Sequence, residues 1–449
     1  MSRVLITGAG IVSALGNDIQ TFWQQCLAGK TYVEAIPEGW QSLGVTQSKV
    51  YSPLPLPDYK AAGLKKFEIT QHDPATLNAL VATHQALQHA NIPLTQQAER
   101  KHCFTINNHN PYRIGVFIGS GSGGLNSLYE SLQGDLYRGV IKEIQDFPEG
   151  QKERLTARYD ALFGEVKRKN TFSLPMFLPN SVAAGVATKY GVKGDVQINV
   201  YSCAAGAKAI IAATRAIQNG HLDIALAGGS EYTSDEIGST FRSFDTLNTL
   251  TTYEGPLNSV NRPFDKGRQN FLYSEGGCAM LVLESETNAR KRNVSPLAEI
   301  VGTAESFDSH HFMQLEPSGL EIKNMMIKLA ESASISLSDV NYINAHGTAT
   351  IANDELESRL LEELYPQRPY INSTKSLLGH TLGASGAIET LVCALSLQQG
   401  TMHPSLNLTA PIRPLNFVTQ KTSAKLKYAA NFSYGFGGHN AGLLLKATN

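Results

Sequence analysis

A chain of 449 residues, 42% hydrophobic and 17% charged, is too long for one simple core and calls for two domains or one large duplicated one. A formal net charge of −1 excludes an overall field that would gather nucleic acid or an anionic membrane. Five cysteines, without C-x-x-C or metal-like spacing, argue against a disulfide framework and for a reducing, cytoplasmic setting; no run of about eighteen apolar residues spans a bilayer.

The opening Met1–Gly10 runs straight into a strand at Val4–Thr7, without the long apolar region of a secretory signal. Gly8-Ala-Gly10 follows that strand, and Gly119-Ser-Gly121-Ser-Gly-Gly124 follows a second at Arg113–Ile118. The latter fits G-x-G-x-x-G, but no ribose-binding acid follows either loop. Both read as tight turns, with no nucleotide cofactor. Leu128, Leu132, Leu136, Val140 and Ile144 then recur at helical spacing, and Leu155, Tyr159, Leu162 and Val166 mark a second helix. This excursion, within Leu125–Phe172, reads as a lid, a subunit contact or a solvated appendage.

Asp195–Tyr201 reads as a short buried strand leading into Ser202-Cys203-Ala-Ala-Gly-Ala207 and a helical run through Ile217. Further strands follow at Ile224–Ala227 and Ala279–Leu283, with a polar seam at Glu286–Asn293. Beyond it, strands are expected at Ala298–Val301, Tyr342–Asn344, Tyr370–Ser373, Lys427–Ala430 and Ala441–Leu445. The alternation of strands and helices indicates a layered α/β fold, divided at 1–290 and 291–449. Each part repeats one pattern. Ile198-Asn199 leads to Cys203 and a small-residue helix; Ile371-Asn372 leads to Lys375, His380 and the helix from Gly383 to Leu395.

A thiol at a strand-to-helix turn sits over unpaired N–H groups and the positive end of the helix dipole, which favour thiolate. Cys203 is therefore the candidate nucleophile, whereas Cys26, Cys103, Cys278 and Cys393 read as small hydrophobes. His346, in Asn344-Ala-His-Gly-Thr-Ala-Thr350, and His380, in Lys375-Ser-Leu-Leu-Gly-His380, each lie beside glycine near a strand's carboxyl end. Ligand sites of α/β sheets gather there. The glycines of Gly435-Phe436-Gly437-Gly438 form either an ordinary turn or a loop placing a backbone N–H on an oxyanion. No H-E-x-x-H or other metal spacing occurs, so no metal is expected.

Together these motifs resemble the β-ketoacyl-[acyl-carrier-protein] synthases of the chain-elongating Cys-His-His type. Val-Leu-Ile-Thr-Gly8, Ala227-Gly-Gly-Ser-Glu231 and Asn261-Arg-Pro-Phe-Asp265 extend the likeness nearly end to end. The resemblance implies a thiolase-like five-layer α-β-α-β-α fold in two pseudo-duplicated halves. It also implies an acyl group carried on Cys203, an oxyanion hole of the Cys203 and Phe436 amides, and enolate stabilisation by His346 and His380. Lys375, Asp354, Glu357 and Glu389 become a supporting network, Thr348 and Thr350 contacts for the pantetheine arm, and Phe436 a gate. No resident cofactor is implied, since the substrates carry phosphopantetheine on acyl carrier protein. The expected partners are that carrier and a second subunit, in a homodimer or a heterodimer. Lys65, Lys66, Arg242, Lys266 and Arg268 are candidate docking charges. The sequence departs from the family at Tyr201-Ser-Cys-Ala-Ala205, Gln269-Asn270, His439 and the long Leu125–Phe172 stretch, leaving substrate identity open between fatty-acid elongation and a specialised polyene or polyketide pathway. A thiolase would need a second cysteine near the C-terminus, and Ala429–Asn449 has none. A non-catalytic chain-length subunit would lack the nucleophile.

Overall fold

The computed structural model describes residues 2–42, 44, 46–163 and 170–448. Ten strands form the main sheet: β1 (Val4–Val12), β2 (Ile114–Gly119), β3 (Val196–Asn199), β4 (Ile224–Tyr232), β5 (Gly276–Ser285), β6 (Ala298–Phe307), β7 (Tyr342–Asn344), β8 (Tyr370–Asn372), β9 (Tyr428–Gly435) and β10 (His439–Lys446). Their spatial order is β8-β7-β9-β10-β6-β1-β5-β4-β2-β3. Split between β1 and β6, it becomes two five-stranded units of one topology. In each, the third strand in chain order lies at the free edge, parallel to the second, which is parallel to the fourth; the fourth, fifth and first then pair antiparallel.

Helices complete the layers: α1 (Pro74–His89), α2 (Leu125–Ile144), α3 (Glu149–Phe163), α4 (Asn180–Tyr190), α5 (Ala205–Gln218), α6 (Leu320–Ser332), α7 (Ile351–Leu364) and α8 (Ser385–Gln399). Apolar side chains divide between the layers with the strand period of two. On β5, Leu281 and Leu283 face the central helices α5 and α8, while Met280 and Val282 pack under α1. On β10, Leu443 and Leu445 face the same central helices and Leu444 the outer cluster with α6 and α7. Burial on both faces makes such strands read as unbroken apolar runs. The result is the five-layer α-β-α-β-α arrangement. The small residues of α5 and α8 let the two helices touch at backbone distance: a Cβ on Gly206 would lie 2.9 Å from Ala387 N, and one on Gly386 2.7 Å from Ala207 N.

Several expectations need correcting. Gly8-Ala-Gly10 is not a turn but the middle of β1, because α1 lies so close that a Cβ on Gly8 would meet Ala86 O at 2.3 Å and one on Gly10 would meet Ala82 O at 1.9 Å. Arg113 belongs to a 3₁₀ turn before β2. The strand ahead of Cys203 is shorter than expected and lies at the sheet edge, with Val196 39% and Val200 48% exposed. The polar seam is a helix, Glu286–Arg292, capped by Ser285 at its start and by Asn293 in the left-handed region at its end. The excursion forms the helical pair α2 and α3, joined by Tyr137 Oη donating to Asp160 Oδ1 at 2.5 Å. Val166, expected to extend the second helix, lies outside the described residues.

Candidate active site

Equivalent turns of the two halves converge at the centre. After β3, the 3₁₀ turn Ser202–Ala204 starts α5; after β8, the turn Leu382–Ala384 starts α8. The first residue of each is left-handed, φ 49° at Ser202 and 50° at Leu382, a conformation that non-glycine side chains seldom adopt. Cys203 Sγ lies 3.1 Å from His380 Nε2, and the rings of His346 and His380 stand 5.7 Å apart at 86°. All three side chains are buried. The strand end at Gly435 abuts the sulfur turn: a Cβ there would lie 2.7 Å from Tyr201 O and 3.4 Å from Cys203 N. This brings the Phe436 amide, with that of Cys203, onto the sulfur, where both favour its anionic form.

Electrostatics fix the protonation states. Burial pushes the Cys203 thiol up to about 11, beyond what nearby Lys375 and the two amides recover. Burial thus holds the sulfur toward the thiol, against the bias to thiolate that the turn supplies. Burial, with Lys375 close by, holds both His346 and His380 well below the usual imidazole range, so both rings are neutral at pH 7. The Leu382 N–H donates to His380 Nδ1 at 3.3 Å, and Lys375 Nζ approaches His346 Nδ1 at 3.3 Å. With each Nδ1 accepting, each ring carries its proton on Nε2.

The surrounding network is fully buried. Lys375 Nζ also donates to His346 O at 2.8 Å and pairs with Glu389 Oε1 at 2.5 Å. Burial raises Glu389, against the pull of Lys375. Glu357 accepts from the His346 and Gly347 amides at 2.8 Å each, and burial lifts it to about 7. Asp354, lifted to about 6, accepts from the Phe264 amide at 2.7 Å and the Ala349 amide at 3.2 Å. Both acids lie on α7, three residues apart and therefore on one face, so one helix anchors the loop carrying His346.

A cavity of about 610 Å³ leads to this centre, with Cys203, His346, His380, Thr348, Thr350 and Phe436 in its wall. A second space of about 330 Å³ shares Cys203, Phe244, Met313, Leu382 and Phe436 with it and reaches Leu125 and Tyr129 of α2. Cys203 stands where the two meet, with Phe436 on the wall of both. Every proposed site residue is thus in or beside the cavity, Lys375, Asp354, Glu357 and Glu389 lying behind its wall.

The docking charges do not gather in this way. Arg268 is buried, with its guanidinium donating to the carbonyls of Asp265, Thr350 and Ile351, and is withdrawn from any surface role. Arg242 is half-buried and donates to Trp40 O. Lys65 and Lys66 are exposed, at the helix Lys66–Gln71 beside a separate cavity of about 280 Å³. Lys266 is exposed.

Two departures prove to be coupled, since the Tyr201 and His439 rings pack edge to face at 5.0 Å. Asn270 is left-handed, φ 71°, a conformation asparagine tolerates, and donates through its amide to Ala349 O at 3.1 Å. Glu231 is a residue that reading the sequence leaves without a role; an acid near the end of the apolar run of β4 is the available signal.

This arrangement can hold an acyl group as a thioester on sulfur while two imidazole N–H groups converge beside it. Residues 1–289 match the family described as Beta-ketoacyl synthase, N-terminal domain, and residues 297–409 match Beta-ketoacyl synthase, C-terminal domain. The chain belongs to the beta-ketoacyl synthase family. The 3-oxoacyl-[acyl-carrier-protein] synthase 2 of Coxiella burnetii (strain RSA 493 / Nine Mile phase I) is 33% identical over 453 residues, covering 99% of this chain and 98% of that protein. A solved Beta-ketoacyl synthase from Burkholderia phymatum matches with a TM-score of 0.82 at 27% identity, covering 100% of both chains. A type II PKS ketosynthase, solved bound to the hexaketide and in complex with its acyl-carrier protein, matches with a TM-score of 0.81 at 27% identity and the same coverage.

Proposed function

We propose that this chain condenses an acyl group held on Cys203 with malonyl-[acyl-carrier-protein], releasing CO₂ and giving 3-oxoacyl-[acyl-carrier-protein]. The carrying observation is the meeting of Cys203, His346 and His380 at the junction of two cavities. In the first half-reaction the Cys203 sulfur attacks the carrier thioester, the tetrahedral oxyanion accepts from the Cys203 and Phe436 amides, and the sulfur's proton ends on the departing pantetheine thiol. In the second, the malonyl thioester oxygen accepts from Nε2–H of His346 and His380. Loss of CO₂ leaves an enolate, whose carbon attacks the acyl carbonyl and releases Cys203, which takes a proton from solvent. Neutral imidazoles suit this step because they donate hydrogen bonds without having to lose a proton. Lys375, held by Glu389, orients His346. The pantetheine arm occupies the larger cavity along Thr348 and Thr350, the acyl chain the smaller one, and Phe436 gates between them. No resident cofactor takes part.

The partners in this reading are an acyl carrier protein, engaged through Lys266 and the exposed Lys65 and Lys66, and a second ketosynthase-fold chain laid against the free edge at β3. Since this chain holds its own nucleophile and both imidazoles, the second subunit has no missing chemistry to supply, and the reading takes it as another copy, with a heterodimer as the alternative. The same completeness disfavours a non-catalytic chain-length role. Among the described residues no helix is long and apolar enough to cross a membrane, and all five cysteines are free, in keeping with a cytoplasmic setting. To test this, the protein is incubated with a panel of acyl-carrier proteins and the adducts are located by mass spectrometry. The expected result is an acyl group on Cys203, then a 3-oxoacyl product and CO₂ once malonyl-carrier protein is added. Acylation without condensation, or none with any carrier, would overturn it.

A further inference from the structure

We propose that Glu231 is a positioning residue that sets His380 through the Gly383 turn, in what was the counterpart of the nucleophile site in the other half. The inference rests on the condensation reading above and assigns a task to a side chain that reading leaves idle. It begins from the duplication. The turns Ser202–Ala204 and Leu382–Ala384 enter the paired central helices with the same left-handed first residue, so Gly383 occupies the position that Cys203 holds in the first half.

At that position there is no room for a side chain. A Cβ on Gly383 would lie 2.4 Å from Glu231 Oε2 and 2.3 Å from Gly121 N. The carboxylate fills the space instead. Its Oε2 accepts from the Gly121 amide at 2.5 Å and the Gly383 amide at 3.1 Å; its Oε1 accepts from Ser122 Oγ at 2.7 Å and Ser120 Oγ at 3.3 Å. Burial raises this carboxyl while its four donors pull it back down, and it sits over the first turn leading into α8, as the sulfur sits over the turn leading into α5. Four donors on one fully buried carboxylate join the loop after β2, the end of β4 and the turn after His380.

This clamp is one residue from the chemistry. Gly383 lies between Leu382, whose amide donates to His380 Nδ1 at 3.3 Å, and Ser385, whose Oγ lies 3.2 Å from the same nitrogen, so the turn it anchors keeps the Nε2 proton aimed into the cavity at the sulfur. Loosening Gly383 releases Leu382 and with it the ring's tautomer and direction. The sulfur turn is braced instead by the strand end at Gly435, and Glu231, which shares the wall of the smaller cavity, reaches Cys203 only through space, where its charge raises the thiol and so does not promote acylation. Glu231 therefore serves the step that uses His380 more than the step that acylates Cys203.

Glu231→Leu keeps about the size and takes the acceptor away from all four donors. Glu231→Gln is the conservative control, its NH₂ donating to the Ser120 and Ser122 hydroxyls while its Oε1 still accepts from the Gly121 and Gly383 amides. The two half-reactions are read separately: CO₂ release from malonyl-pantetheine, and attachment of the acyl group from octanoyl-pantetheine to Cys203 by mass spectrometry. The expected result for Glu231→Leu is a tenfold or greater loss of decarboxylation, with acylation within about threefold of the parent protein. Glu231→Leu combined with His380→Ala is expected to decarboxylate no more slowly than His380→Ala alone, because both act through one ring. Parallel loss of both half-reactions, unchanged decarboxylation, or a double variant slower than His380→Ala would overturn the proposal. Failure of the condensation reading itself is distinct: the parent protein would then release no CO₂.

Discussion

Cys203 shows how far a residue's environment can depart from what its local sequence suggests. The strand-to-helix turn argued for a thiolate, yet enclosure by both halves pushes the thiol up to about 11. With the thiol held that high, alkylation by iodoacetamide is expected to keep accelerating past pH 9, where a free cysteine near pH 8.5 would be levelling off. Lys375 lowers the thiol's value, so Lys375→Ala removes a positive charge that favours thiolate and moves the alkylation profile to still higher pH. A profile that moves down, or a parent protein that levels off near pH 8.5, would contradict this assignment. His346→Ala and His380→Ala each remove a donor from the developing enolate and are expected to cost roughly 10²–10³ in condensation, measured as CO₂ release from malonyl-carrier protein. The reactive residues were legible because strand ends, glycines and spacing mark them in one dimension. Arg268 and Glu231 were not, because a charge in a sequence carries no sign of whether it ends in solvent or among backbone groups.

Among elements, the chain showed where strands begin better than how far they run. The expected strand Val4–Thr7 continues to Val12 because Gly8 and Gly10, read as turn formers, are required by the close approach of α1. Likewise Lys427–Ala430 extends as β9 to Gly435, since polar Asn431 and Ser433 face the buried interior between layers rather than ending the strand. The extension matters because it carries Gly435 and Phe436 against the sulfur turn. A methyl group at Gly435 would meet Tyr201 O at 2.7 Å, so the strand end must retreat and take the Phe436 amide with it. Gly435→Ala is expected to leave the circular dichroism spectrum intact while slowing acylation of Cys203 at least tenfold, the lower range for losing one oxyanion donor being roughly 10². Acylation at the parent rate would show that the amide is not an oxyanion donor.

For the whole molecule, duplication explains why chemistry lies at the centre while one sheet edge stays open. Stacking two five-stranded units back to back buries α5 and α8 and brings a turn from each half together, but leaves β3 and β8 as terminal strands. β8 has Phe417 bridged to Ile371 beside it, whereas β3 presents Val196 to solvent and the residue that follows the strand, Val200, is exposed as well. Unpaired N–H and C=O groups beside exposed valines form a template for another strand, a liability that proteins ordinarily cover or charge. Helix α2 also exposes Leu132 at 50% and Leu136 at 65%, spaced four apart on one helical stripe. A second copy laid on this edge would cover it and brace the short strand that delivers Cys203. Val196→Lys with Val200→Lys places two like charges at that seam without touching the cavity, since neither side chain lines it. Sedimentation velocity is expected to show a dimer for the parent protein and a monomer for the double variant. Acylation of Cys203 is expected to fall in proportion, and high salt, by screening the lysines, to restore part of both. A parent protein that is monomeric at micromolar concentration, or a double variant that remains dimeric, would place the subunit contact elsewhere and leave β3 as an edge of unexplained exposure.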